Sequence, residues 1–177
     1  MKKFVVTVTL SIPVLLIGSL AARQNEANRM KSGDTTFAMK AAQGGMAEVE
    51  FGRLATERAS DAKVKQFGQR MIDDHTKAND DLKSVAAKDG MTLPTALDSK
   101  DAATKNKLSG LQGEPFDKTY MEDMVSDHEK DIAEFQREAD HGTNPDLKAF
   151  AQRTLPTLQH HLQMAKDALA EVKKTGK

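Results

Sequence analysis

Cysteine is absent from the chain. Without thiols there are no disulfides to staple the fold, no thiolate for a metal and no site for a lipid anchor. Stability must therefore come from packing, and any ion from oxygen, imidazole or thioether donors. Tryptophan is missing as well, tyrosine occurs once and aromatics make up 5% of residues. The chain also lacks an excess of one charge. Its 26 Lys+Arg balance 26 Asp+Glu, so no global field draws it to nucleic acid or to an anionic membrane. It contains no Ser-His-Asp order, phosphate-cradling glycine loop or H-E-x-x-H sequence.

Ala, Lys, Asp, Gln and Met are plentiful, which favours an all-α fold, and 177 residues suit one domain. Lys2 and Lys3 precede an apolar run over 4–20 that ends in Ser19-Leu20-Ala21. This pattern reads as a signal peptide over 1–21, cleaved to leave a periplasmic chain without a stable membrane span; the rival, an uncleaved membrane anchor, is disfavoured because the run is short for a span. Residues 22–33 are polar and aperiodic, as in a disordered linker. The bundle is expected over 34–173. A first helix covers 35–59, and a second, capped by Ser60, runs to Asp89 before Gly90. A crossover over 91–113 holds Pro94 and a short helix around 99–111. A third helix runs from Pro115 to His141-Gly142. The fourth, opened by Asn144-Pro145-Asp146, runs to about Val172, with Pro156 as an expected kink. Two antiparallel hairpins joined by a long crossover make a ferritin-like four-helix bundle.

Two internal echoes accompany this pattern. The stretch from Asp61 through Phe67 to Arg70 matches that from Asn144 through Phe150 to Arg153, which suggests duplicated hairpins. Met71 to Lys77, containing Asp74-His75, resembles Met124 to Lys130, containing Asp127-His128. This pairs the second helix with the third, as two segments at one level of the bundle would.

Four ionisable residues fall on, or at the edge of, apolar stripes. His75 interrupts Val64, Phe67, Met71, Ala78 and Leu82. His128 interrupts Phe116, Tyr120, Met124, Ile132 and Phe135. His161 edges the stripe of Leu155, Leu158, Leu162 and Ala165, while His160 points to water. Glu48 shares a helix face with Gly44, Gly45, Phe51 and Gly52, where something must approach closely. Counted from the turns, the four occupy one broad layer. Three imidazoles and a carboxylate suit Fe, Mn, Zn or Cu. The alternative is a layer whose members satisfy one another and fix helix register. Met71, Met124 and Met164, each four residues from a histidine, would suit Cu(I) but also serve as core filler. Asp74 and Asp127 point aside from their histidines, towards surface pairing with Lys77 or Lys130. Glu138-x-x-His141 has di-iron spacing but lies at a helix end.

Ala42 to Glu50, Met71-x-x-Asp74-His75, Thr92 to Thr95, His128-Glu129-Lys130 and Leu155-Pro-Thr-Leu158-x-x-His161-Leu162 together resemble an exported bacterial ferritin-like family, domain of unknown function 4142. The resemblance spans 35–172. It implies a ferritin-like bundle carried across the inner membrane and brings no established activity. Di-iron carboxylate proteins need Glu three residues before the histidine, whereas Ile72, Val125 and Leu158 stand there. The expectation is an envelope protein binding one transition metal through Glu48, His75, His128 and His161, to which a stress role would fit. The alternative is a structural or interaction module. A redox enzyme would lack a recognisable catalytic set.

Overall fold

A computed structural model describes the backbone of residues 17–175 and the side chains of residues 32–175. Most of the expected signal peptide lies outside the described residues. The fold is an all-α bundle: α1 Ile17–Arg58, α2 Ala62–Lys88, α3 Ser99–Ser109, α4 Glu114–His141 and α5 Pro145–Thr175. Among the described residues no helix is long and apolar enough to cross a membrane.

The helix ends follow from local chemistry. The Asp61 carboxylate accepts from the backbone N–H groups of Lys63 at 2.7 Å and Val64 at 3.3 Å, opening α2. Asp61 is thus the cap in place of the expected Ser60, since the carboxylate stands where it can reach those two donors. Asn144 Oδ1 opens α5 by accepting from Asp146 at 2.9 Å and Leu147 at 3.0 Å. Gly90 follows α2 and Gly113 precedes α4, at φ of 64° and 66°, backbone angles that glycine adopts without strain. A second correction concerns residues 22–33. α1 begins at Ile17, so the expected linker is helical. Its Ala, Arg, Gln, Glu, Met and Lys are good helix formers even where no apolar period announces a helix.

The tight turns 59–61 and 142–144 make α1 antiparallel to α2 and α4 antiparallel to α5. The hairpins meet through α1 on α4 and α2 on α5, and α3 lies against α1 and α4. Each turn is held by an acid from the other hairpin. Asp117 of α4 accepts from Ser60 N at 3.1 Å, Asp61 N at 2.9 Å and the Ser60 hydroxyl. Asp34 of α1 accepts from Thr143 N at 3.0 Å, Asn144 N at 2.8 Å and the Thr143 hydroxyl. One spacing separates Asp34 from Asp117, Ser60 from Thr143, Phe67 from Phe150 and Glu48 from Asp131, so the duplication extends through both hairpins.

The core divides in two. One apolar cluster contains Phe51, Phe67, Met71, Phe116, Tyr120 and Met124, and the other contains Phe37, Leu82, Phe135, Leu147 and Phe150. On α2, α4 and α5 the switch from one cluster to the other is marked by His75, His128 and His161, and on α1 it falls between Ala42 and Ala47, next to Glu48.

Candidate metal centre

All four expected residues are buried: Glu48 is 3% exposed, His75 7%, His128 0% and His161 1%. α2, α4 and α5 each present one imidazole to the bundle axis. The ring centroids stand 6.0 Å apart for His75 and His128, and 5.5 Å apart for the two pairs involving His161. One ring nitrogen from each lies within 4.8 Å of the other two, a grouping that could hold a single metal ion.

Hydrogen bonding at one nitrogen of two of the rings leaves the other nitrogen free. His128 Nδ1 lies 2.9 Å from the Met124 carbonyl, which can only accept, so Nδ1 carries the proton and Nε2 a free lone pair. His161 Nε2 lies 2.8 Å from Asp74 Oδ2, leaving the lone pair on Nδ1. These partners fix tautomer and ring orientation as the outer partners of metal-bound histidines do. The buried atoms without a hydrogen-bond partner include His75 Nε2, His128 Nε2 and His161 Nδ1.

Burial also sets the charge. Desolvation pushes His75 well below the ordinary imidazole range, with the other two rings adding to it. Desolvation lowers His128 to about 4, and it lowers His161 despite the opposing Asp74 carboxylate. At neutral pH all three are uncharged, the form that ligates metals.

Glu48 departs from the expectation. Its Oε1 is 3.7 Å from His128 Nδ1, the nitrogen already committed to Met124, and it is not among the converging ligand atoms. Burial holds its carboxyl well above the ordinary range, helped by the nearby charge of Asp131. Asp74 needs a second correction. Expected at the surface beside Lys77, it orients His161 instead, because α5 packs where helix geometry alone suggested solvent. Asp127 does pair with Lys130, at 3.2 Å. Met71 and Met124 are apolar core, fully buried in one cluster. Glu138 is buried beside Asp34, far from the histidine layer, and desolvation with the Asp34 charge raises it to about 7. Its expected companion His141 is exposed.

The glycine face of α1 is explained by contacts. A Cβ at Gly52 would stand 2.6 Å from the Gly68 carbonyl, and one at Gly45 would strike Asn79. Another helix backbone, not an ion, approaches Gly52.

The family model described as Domain of unknown function (DUF4142) matches residues 19–168. No curated protein matches the chain. Two crystal structures share the fold. One is a DUF305 fragment from Deinococcus radiodurans, with TM-score 0.69 and 14% identity, covering 78% of this chain and 96% of that one. The other is a DUF305 protein from Streptomyces coelicolor, with TM-score 0.68 and 15% identity, covering 80% and 94%. At such identity the likeness speaks to the fold alone.

Proposed function

The chain belongs to the DUF4142 family, which brings no activity with it, and we propose from the site itself an exported helical bundle that binds one transition-metal ion through His75, His128 and His161. The observation that carries this reading is that three buried rings, each with an unpartnered nitrogen, bring one ring nitrogen apiece within 4.8 Å of one another. A buried polar atom left without a partner costs about 1–3 kcal/mol, so three together are a substantial burden. A metal ion satisfies all three at once. A layer that only set helix register would need its members to bond one another, and these nitrogens make no such bond. Neutral imidazole is a donor for Zn, Cu and Fe, and the absence of cysteine removes thiolate competitors. Export rests on Lys2, Lys3 and the apolar run that follows them.

The test is metal analysis of protein purified without chelators, alongside His75→Ala and His128→Ala. About one ion per chain in the wild type, lost in both variants while the helical circular dichroism persists, is the expected result. A wild type that stays metal-free after incubation with Fe, Mn, Zn and Cu salts would overturn the reading.

A further inference from the structure

A pocket of about 300 Å³ opens between α1 and α4, its wall carrying six carboxylates against three lysines. The lysines are engaged. Lys40 lies 2.6 Å from Glu134, Lys130 3.2 Å from Asp127, and Lys100 3.8 Å from Asp127 and 3.9 Å from Asp101. Glu48 and Asp131 line the same pocket, and neither is among the carboxylates those lysines engage. Glu48 Oε2 is buried without a hydrogen-bond partner. Burial and the neighbouring acids raise Asp131 to about 7, the mark of a carboxyl short of positive charge.

The pocket also leads somewhere. Asp131 and Gly44 line a second cavity of about 20 Å³, room for one water, and His75 forms part of its wall. Gly44 places no side chain at the junction, and a Cβ there would stand 3.9 Å from Asp131 Oδ2.

We propose that this acid-lined pocket is the way in for the metal: Glu48 and Asp131, giving up any proton they hold to the pocket water, take up a hydrated divalent cation, which sheds water as it passes Gly44 to His75 and its two partners. The proposal rests on the histidines being the final ligands. Among the described residues no three carboxylates converge closely enough to enclose an ion. A cation held by two carboxylates therefore keeps most of its water and is free to move on. The histidines then replace that water. An excess of acidic over basic groups in a cleft raises the local concentration of cations and their arrival rate, by about tenfold where the excess is strong.

Cobalt(II), whose visible spectrum reports ligation by nitrogen, is the probe in stopped-flow mixing with the full chain, for wild type, Asp131→Asn and Gly44→Val. Asp131→Asn keeps the side-chain shape and should load about tenfold more slowly to the same final spectrum. In Gly44→Val, a plug on the route but not a ligand, loading and release should slow by one factor with Kd unchanged. Wild-type rates in both variants would overturn the entrance while leaving the histidine site intact. A wild type that develops no cobalt spectrum would overturn both.

Discussion

An imidazole inside a protein is cheapest as the neutral base, and desolvation imposes that state on His75, His128 and His161. The usual cost of metal binding to histidine, expelling its proton, is thus met on folding. The sign follows. A histidine whose folded value lies below the unfolded 6.5 contributes stability present above 6.5 and lost as pH falls through the folded value, about 4 for His128. On the proposed reading, metal affinity of the folded chain follows the folded values alone, so it outlasts the first loss of stability below 6.5. Zinc Kd measured against a competing chelator should pass through 6.5 without a break and weaken only as the pH nears the folded values, about 4 for His128. Weakening that begins near 6.5 would show rings that are solvated and protonate freely. The burial of all four polar residues was legible because each broke a regular apolar period. Their partners were not. Periodicity tells which way Asp74 points around its own helix, but nothing about α5 arriving there, and Glu48 lies in the predicted layer yet on the wrong side of His128.

Helix α1 shows how propensity and contact compete. Gly33 and Gly52 both lie within it, yet a Cβ at Gly33 would meet nothing within 4 Å, whereas one at Gly52 would collide with the Gly68 carbonyl. Alanine improves helix propensity at either site by about 1 kcal/mol. Gly33→Ala should therefore stabilise by up to about 1 kcal/mol, while Gly52→Ala should destabilise by about 1–3 kcal/mol through overpacking. Urea denaturation of the two variants measures this, and equal signs would contradict the close crossing of α1 and α2. Helix positions were legible to within a few residues because capping residues, Gly90 and the Pro at the start of α4 and α5 mark their ends. The Asp34 and Asp117 clasps were not, since each joins a helix to a turn in the other hairpin and no local pattern records the pairing. The start of α1 was misjudged for the converse reason: a polar segment carries no period even when its residues favour a helix.

The bundle as a whole is two apolar cores separated by a polar layer, with a histidine from each of three helices reaching across it. Because α2 belongs to one hairpin and α4 and α5 to the other, an ion held by these rings as proposed would tie the hairpins together. The two cores lie on either side of the histidine layer. That architecture was readable from the sequence as four periodic helices with one interrupted level. That three of the four group together while Glu48 stands apart was not, because it depends on how the rings are set by partners such as the Met124 carbonyl and Asp74. X-ray absorption at the metal edge of the zinc-loaded full chain interrogates that grouping directly. A nitrogen shell at about 2.0 Å, with the outer-shell scattering of three imidazoles, is the expected spectrum. A shell of oxygen alone, or scattering from a single imidazole, would contradict it.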